Sequence, residues 1–196
     1  VGPVLSKYGV SAFRGGVHKM RTDCESFQGQ GSSILKDLLE FKKAYKLPLV
    51  VEITDIRNIE SYVEVVDLFQ VGSRNMYNYP LLTELGRLKL PVLLKRAFSA
   101  TLQEWICAAQ YVEKQSNPNV ILCERGIRTF ELALRNTLDL GAVAWLKAET
   151  DYPVLVDPSH ATGRSDLVLP LSLAAKAVGA DGVMVEFHPR PDQALS

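Results

Sequence analysis

The chain has 196 residues, 47% of them hydrophobic, and its 22 basic and 22 acidic side chains cancel to zero net charge. Residues 1–196 are expected to form a single domain around one large core, and the charge balance excludes a general nucleic-acid or membrane-surface binder. Cys24, Cys107 and Cys123 lack CxxC or finger spacing, which excludes a disulfide framework and suits a reducing cytoplasm; no apolar run reaches membrane-spanning length.

Short apolar, β-branched runs recur with helix-like segments between them. Strands are expected at residues 10–13, 49–53, 68–71, 92–94, 120–122, 154–156 and 183–185. Helices are expected at 33–45, 59–65, 80–88, 101–113, 138–147 and 166–177. Ser32 or Ser33 would cap the first of these, whose Ile34, Leu35, Leu38, Leu39 and Phe41 form an apolar stripe. Trp105 and Trp145 fall in helical patterns and read as packing residues. Such alternation means right-handed βαβ units and a parallel sheet, either a (β/α) barrel or a doubly wound sheet. An eighth strand could come only from Val1-Gly2-Pro3, with Val4 to Tyr8 as its whole connection. Parallel neighbours need a crossover of about a dozen residues or more. The first βα unit and the C-terminal helix are therefore expected to be incomplete.

The charges just past the strands are one-sided. Arg14, Lys19, Arg21, Arg74, Lys95 and Arg125 sit at successive strand ends, beside Gly15, Gly16, Gly72 and Gly126. In a parallel barrel these ends share one mouth. There the six cations would make an anion pocket in an otherwise neutral chain, suited to a small phosphorylated substrate. The run from Pro153 to His160 reads as a buried strand stopped by Pro158, delivering Asp157, Ser159 and His160 to that mouth. His160 and Glu186, on neighbouring strand ends, mix imidazole and carboxylate as ligands of a divalent cation would, but a complete site needs one or two more. Cys24, His18 and His188 are weaker candidates for ligand contact. Neither GxGxxG nor GxxxxGK(S/T) occurs, nor a GxSxG elbow, so fingerprints for a nucleotide fold or a serine hydrolase are missing. On the residues alone, a generic phosphate-binding barrel enzyme such as an aldolase or isomerase stays open.

Several runs occur together and in order: Arg14-Gly15-Gly16, Lys19 to Thr22, Ser26 to Gly29, Gln70 to Asn75, Leu94 to Arg96, Ile121 to Phe130, Arg135 to Asp139, Val156 to His160 and Val185 to Pro189. Together they resemble the 3-deoxy-D-arabino-heptulosonate 7-phosphate (DAHP) synthases, in the short-subunit branch near the 3-deoxy-octulosonate 8-phosphate synthases. The resemblance implies a (β/α)₈ TIM barrel and a metal-dependent transferase of the shikimate pathway that condenses phosphoenolpyruvate with erythrose 4-phosphate. It also implies a cytoplasmic homo-oligomer, dimer or tetramer. By position, Arg74, Lys95 and Arg125 would hold the phosphoenolpyruvate phosphate, with Arg14, Lys19 and Lys95 near its carboxylate. Arg21, Thr22 and Asp157 would meet the aldose phosphate; Lys95, Asp157 and His160 would be catalytic. His160 and Glu186 would bind a divalent metal of the Mn, Fe, Co or Zn type.

The departures from the family pattern are local. Val4 stands where the family has a metal-ligating Cys, and the family's metal Asp would come directly after Ala194-Leu195-Ser196. The resemblance therefore implies a longer polypeptide, with segments between Pro3 and Val4 and after Ser196. The alternative it leaves is a non-catalytic homologue that binds phosphoenolpyruvate. Met20, the Asp23-Cys24-Glu25 turn and Ala97 also depart from the pattern, all toward the aldose end. Condensation with another aldose phosphate is thus the alternative activity.

Overall fold

A computed structural model describes residues 2–21, 23–190 and 193 of the chain. Seven strands form one sheet: β1 (Phe13–Gly15), β2 (Leu49–Glu52), β3 (Leu68–Val71), β4 (Val92–Lys95), β5 (Val120–Glu124), β6 (Val154–Val156) and β7 (Gly182–Val183). Their spatial order is their chain order, and every pair is parallel. That serial order is the barrel alternative; a doubly wound sheet would reverse at a switch point. Among the described residues β7 does not pair with β1, so the eight-stranded closed barrel expected from the resemblance is seen only as an open seven-stranded sheet. The sheet is nonetheless curled. Arg14 of β1 and Glu186, just past β7, meet at 3.1 Å.

The helices are α1 (Gly2–Lys7), α2 (Leu35–Tyr45), α3 (Ile59–Tyr62), α4 (Tyr79–Arg87), α5 (Leu102–Glu113), α6 (Leu140–Glu149), α7 (Pro158–Thr162) and α8 (Val168–Ala177). None is long and apolar enough to cross a membrane. Their starts follow local chemistry. Thr101 and Glu104 close a capping box on α5, and Asn78, with Pro80 in the first turn, opens α4. α2 differs from expectation: Ile34 stands at its N-cap with no side-chain bond, and the Ser33 hydroxyl instead donates to the Gln30 carbonyl at 3.0 Å.

Period-two alternation sorts the strand residues. Leu49, Val51, Phe69, Val71, Val92, Leu94, Val120, Leu122, Val154 and Val156 face the helices and make the main core. Trp105 is buried there, its Nε1 donating to the Leu94 carbonyl at 3.2 Å. Trp145, expected to pack, is instead 44% exposed on α6. The alternate residues, including Arg14, Glu52, Gln70, Lys95 and Cys123, line the inner face, which leaves polar side chains for a site.

Two segments at the ends of the chain depart from the sequence reading. Gly2-Pro3 belongs to α1 and not to a strand stub, with Val1 outside the described residues. β1 begins three residues later than expected, because Phe13, Arg14 and Gly15 are the residues in register with Leu49, Val50 and Val51. β7 is shortened, although the Met184 N–H still reaches the Val156 carbonyl at 2.8 Å. The incompleteness expected at the C-terminal helix lies after Ser196; of residues 191–196 only Gln193 is described.

Candidate active site

The inner face carries a chain of side-chain contacts that crosses most of the sheet. Gln70 donates to Glu52 at 3.0 Å and accepts from Arg14 at 3.2 Å; Arg14 donates to Glu186 at 3.1 Å. Glu186 Oε1 lies 3.2 Å from His160 Nε2, and His160 Nδ1 lies 2.7 Å from Asp157 Oδ2. That same oxygen accepts from Lys95 at 2.6 Å. Residues 14 to 186 are thus coupled through one network at the carboxyl ends of the strands. Above it opens a cavity of about 900 Å³.

Asp157 owes its position to a local motif that the sequence reading took for a bare strand end. Its Oδ1 caps α7 by accepting the His160 N–H at 3.0 Å, Pro158 fills the first helical position, and Gly163 closes the helix in the left-handed region at φ 67°. This turn sets His160 one helical step above Asp157, so Oδ2 can bridge the His160 ring and Lys95. Burial alone would raise the Asp157 pKa; the Lys95 ammonium and His160 outweigh it and hold the carboxyl far below its ordinary range. Glu186 falls to about 2, first because of its hydrogen bond from His160, against the opposing effect of burial.

The cations share one wall. Arg14, Lys19, Arg21, Arg74, Lys95 and Arg125 all line the cavity. Lys19, Arg74 and Arg125 have pKa values below their ordinary ones, mainly through burial, with neighbouring cations adding to it. Arg125 is only 3% exposed, and its Nη1 has no hydrogen-bond partner among the described residues. Ser73 Oγ, at the edge of the same cavity, is likewise buried without a partner there. Buried donors are rarely left unsatisfied in native proteins. Both are donors of the kind that suits an anion's oxygens.

The profile of the DAHP synthetase I family matches residues 2–196. The chain belongs to this family. It is 48% identical over 192 residues to the phospho-2-dehydro-3-deoxyheptonate aldolase of Thermotoga maritima, covering 98% of this chain and 57% of that one. The crystal structure of that Thermotoga DAHP synthase superposes with a TM-score of 0.95 over 100% of this chain and 57% of that chain. A truncated form of 3-deoxy-D-arabino-heptulosonate 7-phosphate synthase from the same organism gives 0.91 at 45% identity, over 99% and 71%. A 2-dehydro-3-deoxyphosphooctonate aldolase of Syntrophotalea carbinolica is more distant, at 30% identity over 89% of this chain and 66% of the relative. The chain thus spans about 57% of the length of its Thermotoga relative.

In this DAHP synthetase I chain the expected site residues are not all placed alike. Asp157 is fully buried and absent from the cavity lining, and both its oxygens are taken up by His160 and Lys95. Thr22 and the run Ala194-Leu195-Ser196 lie outside the described residues. Cys24 is exposed and away from the cavity, whereas His18 and His188 both line it. Arg96, next to Lys95 in sequence, points the other way and is locked to Glu124 at 3.0 Å and Asp139 at 2.9 Å. Sequence reasoning named no role for Gln70, which joins Arg14 to Glu52, or for Arg135, which lines the cavity. Strand parity could have found the first, since Gln70 pairs with Glu52 across β2 and β3.

Proposed function

We propose that the protein condenses phosphoenolpyruvate with erythrose 4-phosphate, releasing phosphate and forming 3-deoxy-D-arabino-heptulosonate 7-phosphate. The observation that carries this is the convergence of six cations on one cavity, with Arg125 buried and its Nη1 unpartnered among the described residues. Arg74, Lys95 and Arg125 bind the phosphoenolpyruvate phosphate; Arg14 and Lys19 bind its carboxylate; Arg21 and Thr22 take the aldose phosphate. C3 of phosphoenolpyruvate bonds to the aldehyde carbon, water adds at C2, and the C2–O bond to phosphate breaks. Lys95, held by Asp157, presents an ammonium that neutralises charge forming on the aldehyde oxygen.

His160 and Glu186 fit two positions of a divalent-metal site. The His160 Nε2 faces the Glu186 carboxylate, while Nδ1 is fixed by Asp157, the orientation that metal-ligating histidines take from an outer carboxylate. Among the described residues no group of three or more His, Cys, Asp or Glu side chains is arranged to hold a metal ion, so the pair supplies part of a coordination shell. A cation bound there would supply Lewis-acid activation of the aldehyde. An imidazole and a carboxylate are compatible with Mn, Fe, Co or Zn. The same reading makes this a cytoplasmic homo-oligomer, dimer or tetramer, built on a complete (β/α)₈ barrel.

Carbon count separates the main alternative. Phosphoenolpyruvate supplies three carbons, so a seven-carbon product needs a four-carbon aldose and an eight-carbon product a five-carbon one. Full-length protein with Mn²⁺ is expected to release phosphate only when phosphoenolpyruvate and erythrose 4-phosphate are both present. Lys95→Met should abolish that release. Turnover with a five-carbon aldose phosphate instead would move the activity to the octulosonate branch. A rise in Tm with phosphoenolpyruvate, but no turnover with any metal, would make the protein a non-catalytic binder.

A further inference from the structure

Phe98 lies in the turn between β4 and α5, and three guanidinium groups gather on it. The Cζ atoms of Arg125, Arg128 and Arg74 stand 4.6, 4.9 and 5.1 Å from its ring centroid. Its backbone is engaged as well, the carbonyl accepting the Arg128 N–H at 2.8 Å. These arginines come from different segments: Arg74 lies just past β3, while Arg125 and Arg128 lie just past β5. Like charges brought this close repel; the Arg74 pKa is lowered first by burial, then by Arg135 and Arg128, against an opposing pull from Glu52. A carboxylate in place of the ring would relieve the repulsion but would also cancel part of the charge. An aromatic face attracts cations through its quadrupole and carries no net charge.

We propose that Phe98 is the positioning residue of the anion site: its ring holds the Arg74 and Arg125 guanidiniums in place and adds no counter-charge of its own. The inference rests on the reading of these arginines as the phosphoenolpyruvate phosphate site. It adds that the arrangement of that site depends on an uncharged ring with no hydrogen bond to the ligand. Arg128, itself exposed, completes the arrangement by tying the β5 loop to the Phe98 backbone and ring together.

The test is calorimetric titration of the full-length protein with inorganic phosphate and with phosphoenolpyruvate, for wild type, Phe98→Leu, Phe98→Met and Phe98→Tyr. Leu and Met keep an apolar side chain of similar volume but lose the ring face; Tyr keeps it. Loss of the ring is expected to weaken both ligands about tenfold, equivalent to about 1.4 kcal/mol, with Tm little changed. Phe98→Tyr should restore affinity to within about twofold of wild type. Wild-type affinity in both Leu and Met variants would overturn the role of Phe98 and leave the anion site standing. Equal weakening in the Tyr variant would reduce Phe98 to a packing residue. If wild type itself bound neither phosphate nor phosphoenolpyruvate, the anion-site reading would fall and this inference with it.

Discussion

Replacing Arg125 by Met should stabilise the ligand-free protein while destroying its affinity for phosphate. Arg125 is 3% exposed, its Nη1 has no partner among the described residues, and Arg135 and Arg74 crowd it with like charge against the attraction of Asp157. A buried donor left unsatisfied costs about 1–3 kcal/mol. The Phe98 ring at 4.6 Å returns about 1 kcal/mol. Methionine keeps most of the aliphatic stem, so the packing loss is small. The net expectation is a gain of about 0–2 kcal/mol, or a Tm raised by up to about 8 °C for a chain of this size. Scanning calorimetry with and without phosphate checks both halves. At a hundredfold excess over Kd, wild type should gain about 2.7 kcal/mol from the ligand and the variant nothing. A ligand-free Tm lowered by several degrees would show that Arg125 is an ordinary structural residue. Undiminished stabilisation by phosphate in the variant would also refute the assignment.

Arg96→Met should do the reverse. It strands the fully buried Glu124 with little beyond the Gly126 N–H, and removing one partner of a buried pair costs about 3–5 kcal/mol. Urea unfolding should show that loss, while phosphate affinity in the folded fraction stays at the wild-type value. In metal-free protein, Glu186 is held at about 2 against an ordinary 4.5. Its contribution to stability is complete above about 4.5 and disappears as pH falls toward 2. With 29% of the carboxylate side chain exposed, about 1–2 kcal/mol is the realistic size of that contribution. Glu186→Gln should therefore flatten the acid limb of the stability–pH curve in that window; an unchanged limb counts against the His160 contact. Gly126→Ala should cost at least about 2 kcal/mol, since the residue sits at φ 91° and a Cβ would lie 2.7 Å from Asn136 Cβ. Equilibrium unfolding measures it, and a loss under about 0.5 kcal/mol would be too small for that geometry.

Much of this protein is written in its local sequence. Apolar runs of β-branched residues located all seven strands within about three residues, because burial on both faces of a parallel sheet leaves a signal that needs no tertiary information. The polar residues that stop those runs gave six cavity-lining cations, along with His160 and Glu186. The short helix α7 was hidden, since five residues carry too little periodicity to see; only the Asp157-Pro158 pair hinted at a cap and a first turn.

Other features were decided by the curl of the sheet. Arg96 and Arg125 look alike in sequence, each directly after a charged residue at a strand end. One points away from the cavity to Glu124 and Asp139; the other lines it, its Nη1 without a hydrogen-bond partner among the described residues. Period two says that neighbours face opposite ways, but not which face becomes the inside. Asp157 likewise reads as a substrate contact in the sequence, whereas in the fold its two oxygens are taken by Lys95 and His160. Which residues exist at the strand ends is thus a property of the sequence. Which of them are paired with one another depends on contacts between residues far apart in the chain, such as Arg14 with Glu186, and those exist only once the sheet has curled.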